Sequence, residues 1–217
     1  MVQAAIAAGV KRIVPSEYSS NLETEAAKTL PIVAEKLKTR RYVEQAAASG
    51  KIEWTSVNNG AFFLPPMWTS GVAGPHVKSR TAIYHDGGDR VVCTSSLDTI
   101  AEAVAKVLLP EHVGETKNKP VYVYTAAVTE RKLTEMATKL TGIQFMVQDA
   151  STQEALKLGY EGVKEGDQSK IMSFYMPLMF GSEYGGDFRD TAWNRRLGLP
   201  TLDDAGIEEV LSGWLKE

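Results

Sequence analysis

The feature that most constrains this chain is an alternation. A helix-forming stretch, a short apolar run, a long helix-forming stretch and a second apolar run follow one another with only brief connections. Val2 to Ala8 is alanine-rich and ends at Gly9, which suits a helix stopped by a C-terminal glycine. Arg12-Ile13-Val14 is then a short apolar run ended by Pro15, as expected of a buried parallel strand. Thr29 or Leu30 to Ala48 reads as one long helix closed by Ser49-Gly50. Ile52 to Val57 reads as the next strand, rich in strand-favouring residues and broken by Asn58-Asn59-Gly60. Helix, strand, helix, strand with short links predicts a parallel α/β sheet.

After Gly60 the pattern loosens. Pro65-Pro66, Gly71, Gly74-Pro75 and Gly87-Gly88 mark irregular chain, with short strands expected at 81–84 and 90–94. Ser96 is placed to cap a helix over 99–109, 121–124 reads as a strand, and Thr129-Glu130 opens a helix that stops at Gly142. One more strand is expected at 144–147. The remainder reads as mostly helical, with a glycine-rich loop at 181–186 and a final helix over 203–215.

Composition narrows the function. The 217 residues suffice for one well-cored domain, or one domain with a smaller lobe. A net charge of -3 leaves no basic footprint for nucleic acid. The lone Cys93 excludes an intrachain disulfide, no Cys/His cluster has zinc spacing, and no metal ligand is expected. A reducing compartment, the cytoplasm, is the expectation. The N-terminus lacks the basic segment of a signal peptide, and the apolar stretch 171–180 is too short to span a bilayer and contains Pro177.

One charge in the long helix stands out. At about 100° per residue, Ile32, Val33, Lys36, Arg40, Val43 and Ala47 fall within one sector, with Glu35 and Lys38 well outside it. A lysine on an apolar stripe either snorkels along its margin or points into a cleft at the strand ends, where it could bond a ribose hydroxyl or a developing oxyanion. Arg40 reads as an ion-pair residue, with Glu44 one turn away. Ser16 and Glu17 sit at the expected C-terminal end of a strand, a ligand-binding position or a capped turn. Asn58-Asn59-Gly60 offers amide groups to a ligand, or simply turn chemistry. Tyr18 is a packing residue or a proton donor. Met172, Phe174, Tyr175, Met176, Met179 and Phe180 read as core packing first and as an aromatic-substrate pocket second. His76, His85 and His112 fall in loops without catalytic spacing, and Cys93 reads as buried and inert.

The segment Val10-Lys11-Arg12-Ile13-Val14-Pro15-Ser16-Glu17-Tyr18 resembles the "VKRF.PSEF" segment of isoflavone-reductase-like and NmrA-like proteins, the atypical short-chain dehydrogenases/reductases. Lys36 falls where that family carries its lysine, and Asn58 to Phe63, Ser96 to Ala101 and the closing helix are similar to later parts of it. The resemblance implies an α/β protein with a Rossmann-like doubly wound parallel sheet, N-terminally truncated, and a small C-terminal helical substrate lobe. Residues 1–60 would be the second half of an NAD(P)-binding domain. Residues 61–217 would supply the remaining strands and the substrate lobe of one NmrA-like domain.

The resemblance further implies an NADP-dependent reductase of a small aromatic or secondary-metabolite substrate. Lys36 would assist hydride transfer, with Tyr18 as the nearest proton donor. Pro15, Ser16, Glu17, Lys36, Asn58, Asn59, Gly60, Ala61 and Phe62 would lie against the cofactor. NmrA-like relatives also include dinucleotide-sensing regulators, so a sensing or cofactor-deficient interaction protein is the alternative. The sequence has no G-x-x-G-x-x-G turn near its start, no Arg/Lys cluster for a 2′-phosphate, and Ile32 rather than tyrosine four residues before Lys36. With about 30 residues or more per βαβ unit, roughly 80 to 100 residues of the nucleotide-binding half are expected to be missing. The sheet edge so exposed is where a protein partner or a second copy is expected to dock.

Overall fold

The computed structural model describes residues 1–216. The helix Val2–Ala7 buries none of its residues, and Gly9 turns the chain out of it at φ +70°. Strand β1 (Arg12–Ile13) follows, then a short helix Glu25–Lys28 capped by Thr24. The single helix expected from Thr29 or Leu30 is broken. Leu30 precedes a proline and is held extended (φ −74°, ψ 126°), Pro31–Val33 forms a 3-10 turn, and the α-helix runs only over Ala34–Ala48.

The remaining strands are β2 (Glu53–Asn58), β3 (Ala61–Phe62), β4 (Gly74–His76), β5 (Thr81–His85), β6 (Val92–Ser95), β7 (Lys119–Tyr122), β8 (Ala126–Val128) and β9 (Met146–Ala150). The order β1-β2-β7 is parallel throughout, with Ile13 opposite Trp54 and Val57 opposite Val121. The predicted parallel α/β sheet is therefore present. It does not continue unbroken: β3-β6-β8 and β4-β5-β9 are separate mixed sheets. The predicted cap at Ser96 and helix stop at Gly142 hold, and Thr129 and Asp203 cap the helices expected to begin there. Ser96 Oγ accepts the Thr99 N–H, Thr129 Oγ1 accepts the Lys132 N–H, Gly142 ends its helix at φ +70°, and Asp203 caps Asp204–Trp214. The strand expected at 144–147 starts two residues later because it pairs with β5 in register from Thr81↔Met146.

Three clusters of buried side chains fasten these elements to one another. Val57, Val121 and Val123 pack against Ala103 and Val107 of the helix Leu97–Lys106 and the turn after it. Phe63, Trp68, Leu133, Phe180, Ile207 and Leu211 form the largest cluster, which brings the terminal helix onto the mixed sheets. Leu22, Leu30 and Val33 pack against Phe174 and Leu178, so the start of the lysine helix is fastened to the lobe formed by helix Thr152–Glu165, the 3-10 segment Gln168–Phe174 and helix Tyr175–Phe180. No helix among the described residues is long and apolar enough to cross a membrane.

Candidate active site

β1 and β2 run parallel and release the chain at the same edge of their sheet, the edge where open α/β sheets hold ligands. Two loops leave there, Val14–Ser20 and the turn at Asn59-Gly60, and they are stapled together. The Ser19 carbonyl accepts both the Asn59 and the Gly60 N–H at 3.0 Å, and the Tyr18 N–H donates to the Val57 carbonyl at 3.2 Å. Gly60 sits at φ +65°, and a Cβ there would lie 1.9 Å from the Cys93 carbonyl oxygen of β6, so only glycine lets the strands approach this closely. Tyr18 is held at φ +36°, a left-handed conformation costing a non-glycine residue about 1–2 kcal/mol and found mainly where the surroundings force it.

Between these loops, the first turn of the lysine helix and the lobe lies a cavity of about 180 Å³. Tyr18, Ser19, Ser20 and Gly60–Phe62 form its strand side. Ile32, Val33 and Lys36 form the helix side, and Met172, Tyr175, Leu178 and Met179 close it from the lobe. The predicted charged stripe is real: Val33, Arg40 and Val43 are buried and Lys36 is half-buried. Lys36 Nζ donates to the Glu17 carbonyl. Burial pulls its pKa below the ordinary lysine value, with the negative charge of Glu17 opposing that shift.

Glu17 meets Lys36 through its backbone carbonyl, not its carboxylate, and does not itself line the cavity. The carboxylate is buried (2% exposed) and taken up by Arg40, whose Nε donates to Oε2 at 2.7 Å while Nη2 reaches Oε1. Ser56 Oγ donates to the same Oε1 at 3.3 Å. Arg40 Nη1 also meets Glu23 at 2.7 Å, and the guanidinium lies 4.8 Å from the Trp54 ring centroid. The sequence pointed to Glu44 as the partner. Glu44 is present at 3.9 Å but secondary, because Arg40 faces inward towards β2 while Glu44 is exposed.

Of the sequence candidates, Tyr18, Lys36, Gly60, Ala61 and Phe62 line the cavity together. Pro15, Ser16, Asn58 and Asn59 do not: Pro15 is buried beside the loop, Ser16 is exposed, and both asparagines are completely buried. Asn58 Nδ2 donates to Ser56 Oγ and Asn59 Nδ2 to the Gly60 carbonyl, while both Oδ1 atoms lack a partner. The Met/aromatic segment divides, with Met172, Tyr175 and Met179 on the cavity and Phe174 and Phe180 in the core. Ser19, Ser20, Ile32, Val33 and Leu178 also line the cavity and were not among the sequence candidates. Ile32 and Val33 share the stripe of Lys36, which was the available signal.

His76 and His85 close β4 and β5 rather than lying in loops, and no histidine lines the cavity. His85 is bound to the buried Glu130 through its N–H (2.5 Å) and Nδ1 (2.7 Å), and its ring stacks on Phe180. Cys93 is fully buried, with its thiol pushed up to about 12 by burial. No cluster of potential metal ligands occurs among the described residues. A larger groove of about 290 Å³ beside Pro65, His76, Lys78 and Trp214 is lined by none of the residues predicted to meet cofactor or substrate.

No family profile matches the chain. It is 25% identical over its whole length to the oxidoreductase aprR of Aspergillus flavus, of which it covers 71%. The curated relatives it matches are spanned to between 57% and 71% of their length. Among solved structures, a leucoanthocyanidin reductase–NADPH complex from Vitis vinifera matches with a TM-score of 0.73 at 15% identity, over 100% of this chain and 70% of that one. An isoflavone reductase matches with a TM-score of 0.70 at 14% identity, over 98% and 69%. Over its whole length the chain shares the fold of these reductase structures, across about 70% of theirs.

Proposed function

We propose that this chain forms the nicotinamide and substrate side of an NADPH-dependent reductase of small aromatic molecules. The observation that carries the reading is Lys36: a half-buried amine with a lowered pKa at the mouth of an apolar cavity, on the ligand-binding edge of a parallel sheet. Its relatives are named oxidoreductases, and one structural neighbour was solved with NADPH.

The cavity fits the reactive end of such a cofactor. Its volume of about 180 Å³ suits ring-sized groups, and Lys36 on the helix side with Tyr18 and Ser19 on the strand side are polar residues in its lining. We assign the phosphate-bearing end to residues beyond this cavity. A bound nicotinamide dinucleotide supplies a hydride. The ammonium of Lys36, steadied by the Glu17 carbonyl, bonds the substrate oxygen on which negative charge develops. Burial loosens its hold on a proton, which favours passing that proton to the oxygen. Tyr18, on the strand side of the cavity, is the second donor. Ile32, Phe62, Met172, Tyr175 and Met179 form an apolar surface that accepts an aromatic ring and excludes water.

Reduced nicotinamide mononucleotide, which lacks the adenylate half, tests this end of the site directly. Calorimetric titration into the chain is expected to show saturable binding, weakened tenfold or more in Lys36→Met. Absence of binding by the folded wild-type chain refutes the reading.

A second reading, dinucleotide sensing or partner docking without turnover, is favoured by the open edge of the sheet. Among the described residues β1 pairs with β2 alone, and the helix Val2–Ala7 that precedes it has no fully buried residue. Binding of NADPH with no consumption when quinones or aromatic carbonyls are added supports this second reading over the first.

A further inference from the structure

We propose that the buried Glu17–Arg40 ion pair is the positioning device for Lys36, fixing both where its amine sits and the charge it faces. The inference rests on the reading of Lys36 as the functional amine. Glu17 serves two partners at once: its carbonyl accepts from Lys36 Nζ, and its carboxylate is gripped by Arg40, one turn further along the same helix. Holding the carboxylate therefore holds the carbonyl, and the loop after β1 is latched to the lysine helix at two points.

Stability alone is a weak account of such a pair, since buried ion pairs are often no more stabilising than apolar residues of similar volume. The arrangement is also redundant beyond what one cation needs, with Glu23, Ser56 and the face of Trp54 all engaging Arg40. Its second effect is electrostatic. Burial drives Lys36 towards the neutral amine, and the charge on Glu17 restrains that drift.

The other ionisable groups around Lys36 are Tyr18 on the loop, Tyr175 on the lobe helix, and Glu23 and Glu44, both turned to Arg40. Burial raises the pKa of Tyr175 and keeps its hydroxyl neutral. Glu17 is therefore the one carboxylate bonded through its own residue to the amine.

The experiment reads the titration of Lys36 in the free protein, from the pH dependence of its acylation rate by acetic anhydride, with peptide mass spectrometry and exposed Lys38 as internal reference. In the wild type the Lys36 inflection is expected below that of Lys38. In Glu17→Gln, and in the double variant Glu17→Gln/Arg40→Gln, it is expected to move further down, because the charge of Glu17 that opposes the shift is gone while burial remains. The double variant leaves no buried charge unpaired, so it reports even where the single variant fails to fold. An inflection that stays put or rises towards Lys38 in a folded variant overturns the proposal, since that is the signature of mere loosening. No nucleotide is present, so this result stands apart from the nicotinamide titration, which alone decides the functional reading.

Discussion

Gly60→Ala tests the geometry of the site most sharply. The added methyl would sit 1.9 Å from the Cys93 carbonyl oxygen and 2.8 Å from its carbonyl carbon, both rigid main-chain atoms. Neither side can easily give. The Cys93 N–H is bonded to the Gly186 carbonyl at 2.9 Å, and the Gly60 N–H to that of Ser19 at 3.0 Å. Alanine must also adopt φ +65°, at about 1–2 kcal/mol. Overpacking against a fixed neighbour adds about 1–3 kcal/mol. The expected loss is thus about 2–5 kcal/mol, and at roughly 2–4 °C per kcal/mol for a chain of this size a fall in Tm of about 4–20 °C. Gly50→Ala is the internal control: it has nearly the same φ (+69°) with nothing within 4 Å, so it carries the backbone strain without the collision. Urea and thermal unfolding of both variants, followed by circular dichroism, measure the difference. If Gly60→Ala costs no more than Gly50→Ala, the close approach of β6 to this loop, and with it the shape of the cavity wall, is wrong.

Three other perturbations are informative. Glu130→Ala removes the buried carboxylate holding the main-chain N–H and ring of His85, and is expected to cost about 3–5 kcal/mol in chemical denaturation; a loss under about 1 kcal/mol contradicts that network. Burial raises the Cys93 thiol from 9.0 to about 12, so its contribution to stability is complete below pH 9 and lost as pH climbs towards 12. Alkaline unfolding should accordingly be shallower in Cys93→Ala, and in the native wild type the thiol should resist iodoacetamide at pH 8 until denaturant is added. Tyr18→Phe keeps the ring and removes the hydroxyl. In a catalytically competent reductase containing this site it is expected to lower kcat about 10²–10⁴-fold with little change in Tm, if Tyr18 supplies the proton; undiminished turnover leaves that role to Lys36 or water.

How much of this was legible in the chain varies residue by residue. Local rules carried the cap at Ser96 and the helix starts at Thr129 and Asp203, because capping involves only neighbours in sequence. Periodicity carried the odd position of Lys36, since a charge on an apolar stripe is visible at about 100° per residue. The same rules failed where distant chain intervened. The helix start was misplaced because Pro31 outweighs the propensity of its neighbours. The partner of Arg40 was misread because Glu17 is 23 residues away, whereas Glu44 is the obvious i+4 choice. Asn58 and Asn59 read either as ligand-binding amides or as turn residues, and only the folded structure shows both side chains completely buried.

The sequence by itself determined the helix–strand alternation of the parallel sheet, the cap at Ser96, the helix stop at Gly142 and the place of Lys36 on an apolar stripe, since those follow from local propensity, spacing and pattern. Only the tertiary structure decided what faces that amine. A carbonyl from one loop, a tyrosine in a left-handed turn, a glycine pressed against β6 and an apolar roof from the lobe come from segments scattered between residues 17 and 179. Contacts at such separations are set by how surfaces pack, and no short-range rule encodes them.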